Sequence, residues 1–166
     1  MKVFKTNLWI DRYNEWWNGN TKIENIGIIR FFKINLHYDG EYFIHIKHPE
    51  QEEKGYLKLV EGFPLICEDI EFFDTYFQFL LDNQKLLTPD SLFYDPDQDK
   101  FWGLYLDKEY TNHIPYLVSS KVVQLLSPYI NEKQNEVFIE YNSKVIPIIK
   151  KSYLPSEKYE NSFVSH

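Results

Sequence analysis

The sequence predicts a single α+β domain: antiparallel sheets built from hairpins, with two main helices packed against them. Three observations lead there. Short runs of alternating apolar residues are separated by Gly, Asn, Asp and Pro; two separate stretches carry apolar residues at helical spacing; and the regular strand, helix, strand alternation that builds parallel sheets is missing. At 166 residues the chain has the size of one domain. That domain is placed over residues 1–151, with 152–166 as a polar, loosely held tail. Thirteen Phe, thirteen Tyr and four Trp make the expected core aromatic rather than aliphatic.

Taken in chain order, Val3–Trp9 reads as a strand. Asp11–Trp17 reads as a short helix in preference to a strand, because Asp11 can cap its start and Gly19 can end it. Around Asp39-Gly40 the even positions are apolar: Phe32, Ile34, Leu36 and Tyr38 before the turn, Tyr42, Ile44 and Ile46 after it. A two-residue type I′ turn would pair even positions with odd ones and mix the faces. A type I turn with Gly40 as a left-handed bulge is expected instead, pairing Leu36 with Tyr42, Ile34 with Ile44 and Phe32 with Ile46. Tyr56–Val60 follows as a third antiparallel strand and Leu65–Cys67 as a short buried one.

Glu68 or Asp69 can cap a helix running to about Asn83. At 100° per residue Ile70, Phe73, Phe77, Leu80 and Leu81 form one stripe, with Glu71, Asp74, Gln78 and Asp82 opposite. Phe72 and Phe79 fall outside both and widen the apolar arc beyond the ~100° that a one-sided surface helix needs. Leu92–Tyr94 and Phe101–Leu106 read as strands joined by the polar loop Asp95–Lys100. A second helix starts at Ser119 or Ser120, buries Val122, Val123 and Leu126, and stops before Pro128. Val137–Tyr141 and Lys144–Ile149 make a final hairpin through Asn142 and Ser143, with Pro147 assigned to a sheet edge because it cannot donate to a ladder.

Charge and composition exclude several functions. Twenty-five acidic against eighteen basic side chains leave a formal charge of −7, which argues against phosphate backbones and anionic membranes as ligands. No apolar run approaches the ~18 residues of a membrane span, and Met1–Ile10 lacks the apolar core of a signal peptide. Cys67 is the only cysteine, so no intrachain disulfide can form. Its apolar surroundings point to a buried, inert thiol in a reducing, cytosolic compartment.

Candidate chemistry is sparse. Asp95, Asp97 and Asp99 have the spacing of the first half of a calcium loop, but Lys100 and Leu106 stand where that loop needs Gly and Glu, so a solvated acidic loop is expected. His37, His45 and His48 cluster in sequence. In the bulged register, however, His37 faces Glu41 and His45 faces Lys33, about 13 Å apart along the strand, too far to share a zinc. Neither a metal nor a cofactor is expected. Nucleophile-elbow, P-loop and dinucleotide motifs are absent.

The remaining reading is a small acidic cytosolic protein that binds and blocks another protein, of the kind represented by bacterial toxin-immunity proteins and phage-encoded inhibitors. Its partner would be another protein of basic character, with no direct role for nucleic acid or membrane. Candidate contact residues are Phe72 and Phe79 on the over-wide helix, the adjacent Trp16 and Trp17, and Asp97 and Asp99 in the acidic loop. The alternatives are an enzyme or binding domain for a small polar ligand, and a component that assembles with copies of itself.

Overall fold

Aromatic and β-branched residues pack best on pleated surfaces, and here most of them go into strands. A computed structural model describes residues 1–155. They divide into two compact units, Met1–Pro64 with Leu106–Ile114, and Leu65–Tyr105 with Pro115–Tyr153. The fold is mostly β, and the expected α+β class with two main helices is not what forms. Among the described residues no helix is long and apolar enough to cross a membrane.

The first unit contains β1 (Lys2–Ile10), β2 (Trp16–Asn18), β3 (Thr21–Lys22), helix α1 (Ile26–Ile34), β4 (Leu36–Tyr38), β5 (Tyr42–Lys47) and β6 (Glu52–Leu59). These strands form one sheet in the order β3-β2-β1-β6-β5-β4, antiparallel except for the parallel pair β1 and β6. Its core is built from Ile10, Trp16, Leu36, Phe43, Ile44 and Phe63. The helix expected at Asp11–Trp17 is a turn followed by β2. The Asp11 carboxylate accepts the amides of Tyr13 (2.8 Å) and Glu15 (2.9 Å), Asn14 takes a left-handed conformation, and Trp17 pairs with Trp9 across the ladder. A carboxylate can close such a turn as readily as it caps a helix, and the stacked Trp9 and Trp17 rings, 5.4 Å apart, favour the strand.

The strand expected over Arg30–Tyr38 is helical in its first half. Asn25 caps α1 by accepting the Ile28 amide at 3.2 Å, and only Leu36–Tyr38 remains extended. The hairpin register also differs from the expected one. Leu36 pairs with Ile44 and Tyr38 with Tyr42 around the three-residue loop Asp39-Gly40-Glu41, in which Gly40 has φ +119°. Even positions still face even ones, but the ladder is offset by two residues from the bulged register.

The second unit contains β7 (Leu65–Phe72), β8 (Phe77–Leu81), β9 (Leu86–Leu87), β10 (Leu92–Asp95), β11 (Lys100–Asp107), β12 (Asn112–Val118), α2 (Ser120–Leu126), a 3-10 turn (Ser127–Tyr129), β13 (Ile130–Lys133), β14 (Glu136–Tyr141) and β15 (Lys144–Lys150). A curled nine-stranded sheet runs β13-β14-β15-β10-β11-β12-β7-β8-β9. The ends of β11 and β12 and the residues joining them are counted in the first unit.

The long helix expected from Glu68 to Asn83 is the hairpin of β7 and β8. Phe77, Phe79 and Leu81 are buried while Leu80 is exposed, an alternation of period two. The segment is so rich in large apolar residues that it fits a helical stripe as well. A tight turn decides between them, with the Phe73 amide on the Tyr76 carbonyl at 2.8 Å. The second helix forms where the sequence places it, capped by Ser119 through the Val122 amide, with Val122 and Leu126 buried. Pro147 is not at an edge, since β15 lies between β14 and β10. It stands opposite Phe138, one residue before the parallel pairing with β10 begins at Ile148 and Leu92, so no ladder bond is lost on that side.

Close packing in this unit depends on one glycine. A Cβ on Gly103 would lie 2.4 Å from the Tyr116 hydroxyl, so only Gly lets that ring cross β11. At the end of the described chain Tyr153 is buried; its amide donates to Asp95 at 3.0 Å, and its ring lies edge-on to Trp102. Of the tail expected at 152–166, Ser152 hydrogen-bonds Asp97 at 2.7 Å, and 156–166 lie outside the described residues.

Candidate functional site

Two features of the first unit carry chemistry that its core does not need. The first is helix α1. Phe32 stacks on the buried Trp16 ring at 5.7 Å, Ile29 is half-buried and Lys33 is buried. The rest of the circumference points outward and is nevertheless apolar. Ile26 is 67 % exposed, Phe31 46 %, Ile28 44 % and Ile34 41 %, with Arg30 the one charge among them. Surface helices normally put such residues inward, and a cluster of them outward marks a contact surface.

The second feature is a set of histidines and carboxylates. The offset register brings His37 on β4 and His45 on β5 onto one face, with ring centroids 6.2 Å apart. Asp107, the last residue of β11, and the residues after it complete the group. Asp107 Oδ2 lies 2.6 Å from His37 Nδ1; Glu109 lies 3.6 Å from His37 Nε2 and 3.9 Å from His45 Nδ1; and Tyr110 packs its ring on His37 and Phe43. From β6, Glu52 meets His45 Nε2 at 3.1 Å, and from β5, Lys47 reaches Glu109 at 3.4 Å. The contacts of the two imidazoles are thus carboxylates and aromatic rings, together with the Tyr110 hydroxyl 3.4 Å from His45 Nδ1, whose ionisation burial makes harder than in a free tyrosine. Among the described residues no three His, Cys, Asp or Glu side chains are placed to hold a metal ion. Chemically, the arrangement fastens Asp107–Tyr110 onto β4, β5 and β6.

Beside it, Lys54 lies over the Phe43 ring, 4.1 Å from its centroid, and its ammonium meets Asp39 at 2.6 Å, where the Tyr56 hydroxyl also donates at 2.7 Å. Burial acts to raise the Asp39 carboxyl, but hydrogen bonds from Lys54, Tyr56 and the Glu41 amide, with the Lys54 charge, outweigh it and hold the group below its ordinary range. The same hydrogen bond to Asp39 holds the Lys54 ammonium above its ordinary value. Elsewhere, in the second unit, burial pushes the Cys67 thiol up to about 12, which agrees with an inert core sulfur.

The residues singled out in the sequence are scattered over the two units. Trp16 is 1 % exposed and belongs to the core of the first unit. Trp17 is half-buried, stacked on Trp9, and donates its indole N–H to Asp11 at 2.9 Å. In the second unit Phe79 is fully buried, and Phe72 is half-buried among Phe77, Tyr129 and Tyr141. Asp97 and Asp99 are exposed in the acidic loop, Asp97 accepting from Ser152 and Asp99 from the Tyr94 hydroxyl at 2.5 Å. Asp95 is buried and organises that loop through the amides of Asp97 and Gln98. The outward face of α1 escaped the sequence reading, and the bulged register assumed there set His37 and His45 about 13 Å apart, whereas the observed register brings their ring centroids to 6.2 Å. A cap signal was present at Asn25, but the alternation after Arg30 masked it.

Comparison with known proteins places the fold and nothing beyond it. No protein-family model matches the chain, and neither does any curated protein sequence. Among solved structures, a DUF1285 family protein from Silicibacter pomeroyi DSS-3 superposes with a TM-score of 0.60 at 12 % identity, over 88 % of this chain and 81 % of that one. The two share a fold. A second DUF1285 family protein, from Shewanella baltica OS155, aligns at 17 % identity and a TM-score of 0.49 over 76 % of this chain and 94 % of its own.

Proposed function

We propose that this chain acts by binding another protein through the outward face of α1, as a small acidic inhibitor or immunity-type protein would. The observation that carries the reading is the exposure of Ile26, Ile28, Phe31 and Ile34 on one short helix whose inner side is already satisfied by Trp16. A protein that inhibits by covering its target needs rings and aliphatic groups at the centre of its contact, and charge to speed the encounter. The formal charge of −7 supplies the second and favours a basic partner. Phe72 and Phe79 no longer support the reading, since the helix that would have exposed them is a β-hairpin.

The test is affinity capture from the cells that make the protein, with the wild-type chain and a Phe31→Asp/Ile34→Asp variant whose circular dichroism and melting curve match it. A protein retained in equal stoichiometry by the wild type and lost by the variant supports the reading. Identical capture by both chains sinks it. A wild-type dimer that the variant turns into a monomer would assign the face to self-assembly instead.

A further inference from the structure

Among the described residues the longest strand of the first unit is unpaired along part of one flank. Lys2–Lys5 of β1 run parallel to Glu53–Tyr56 of β6 on one flank. On the other flank β2 reaches only Leu8–Ile10, and the Gly19 amide closes on the Asn7 carbonyl at 2.9 Å. Among the described residues no strand pairs with the outer side of Lys2–Thr6, and Lys2, Val3, Phe4 and Lys5 are exposed. An open row of peptide groups is a template for one kind of occupant, an extended segment that adds as a further strand.

Of the usual devices for blunting an edge, bulge, proline and charge, the run carries the last, in Lys2 and Lys5. The irregularity of β1 falls between Lys5 and Trp9, so it leaves Lys2–Lys5 regularly paired with β6 and enters the run only at Thr6, and the run contains no proline. It is also held firmly from the inner side. Gly55 gives β6 a bare backbone beneath β1, where a Cβ would stand 2.9 Å from the Thr6 methyl and 3.4 Å from the Phe4 ring. That packing fixes the strand before any partner arrives, which lowers the ordering cost of docking.

Charge selects among extended segments. The run carries Lys2 and Lys5 on a chain whose net charge is −7. Lys2 leans over the Phe4 ring at 5.4 Å. Across the ladder Lys54 is engaged by Asp39 at 2.6 Å, while Glu53, opposite Lys2, lies 3.8 Å from His48 Nε2. Opposite charges on facing strands stabilise a pair and like charges oppose it, so the edge rejects a basic strand and accepts an acidic one.

We propose that Lys2–Thr6 of β1 docks an extended acidic segment of a partner protein as an added strand. The proposal is independent of the α1 face, and Phe31→Asp leaves it unchanged.

The experiment uses the full chain and a seven-residue, end-blocked peptide alternating Glu with Val. The controls are its Lys/Val counterpart and a Glu/Val peptide N-methylated along both edges. The acidic peptide should bind, slow amide exchange at Lys2–Thr6, and lose about tenfold in affinity on N-methylation, the factor that corresponds to roughly one lost hydrogen bond. Lys2→Glu/Lys5→Glu should exchange the preference of the chain from the acidic to the basic peptide. Three results overturn the proposal: failure of the folded wild type to bind the acidic peptide at millimolar concentration, equal binding of the N-methylated peptide, or protection appearing away from Lys2–Thr6. A wild-type dimer whose Lys2–Thr6 amides are already protected would also overturn it, by giving the edge to a second copy of the chain.

Discussion

His37 and His45 sit with ring centroids 6.2 Å apart because Leu36 pairs with Ile44, and this two-residue choice of register decides what the first unit can assemble. In the offset ladder the two imidazoles become diagonal neighbours on one face. Asp107, Glu109 and Glu52 then close around them.

If that cluster is a fastening, its buried bond should matter more than its exposed one. Asp107 is 5 % exposed and, besides His37, accepts the Glu109 amide at 3.2 Å. His37→Ala leaves a buried carboxylate short of a partner and should cost about 1–3 kcal/mol in urea unfolding. Glu109→Gln, at a half-exposed position, should cost well under about 1 kcal/mol. Equal effects from the two substitutions would show that the His37–Asp107 contact fastens nothing.

Burial separates Phe79 from Phe31 in the opposite sense. Phe79→Ala removes a fully buried ring from the second unit and should cost about 3–5 kcal/mol. Phe31→Asp, on the outward face of α1, should change stability by no more than about 0.5 kcal/mol. Chemical denaturation of the two variants checks both, and a large loss from Phe31→Asp would mean that the α1 face is core.

Gly103 and Tyr116 make a paired prediction. Adding a methyl group 2.4 Å from the Tyr116 hydroxyl overpacks a dense core, so Gly103→Ala should cost at least about 1–3 kcal/mol. That hydroxyl is buried with no hydrogen-bond partner among the described residues. Tyr116→Phe should therefore be neutral or stabilising by about 1 kcal/mol. A melting temperature clearly lowered by Tyr116→Phe contradicts the arrangement.

The Asp39–Lys54 pair sets a pH window. The folded Asp39 carboxyl lies below its ordinary 3.8, so its contribution is present above that value and drains away as pH falls through the lowered one. The folded Lys54 ammonium lies above its ordinary 10.5, so its contribution is complete below that value and is lost as pH rises through the raised one. Asp39→Asn should lower stability by up to about 1 kcal/mol across the neutral range and converge with the wild type in strong acid. A difference that persists unchanged in acid would show that the carboxylate charge is not what Lys54 and Tyr56 hold.

Local chemistry was readable wherever one signal stood without a rival. Ser119 caps α2 as its side chain requires, and Pro128 falls just past its end. Asn142 and Ser143, both left-handed, turn the last hairpin. The loop Asp95–Lys100 separates two strands. Cys67 is buried in apolar surroundings. Each of these depends on neighbours within a few residues, and the chain alone determines them.

Packing decided the rest. Leu65–Cys67 is the strand the sequence predicts, but from Asp69 to Leu81 the apolar residues satisfy a helical and an extended period together, and only the pairing of Asp69–Phe72 with Phe77–Leu80 in the sheet selects the strand. The residues before Tyr38 alternate like a strand, yet Asn25 and the Trp16 ring draw Ile26–Ile34 into a helix. Register is weaker still as a local property, because any shift by two keeps every side chain on its face. Which residues alternate was therefore in the sequence, but which faces are buried and which residues meet was not: Phe79 is buried and Ile34 exposed, and the His37–His45 cluster, the outward α1 face and the open flank of β1 all arise from who meets whom.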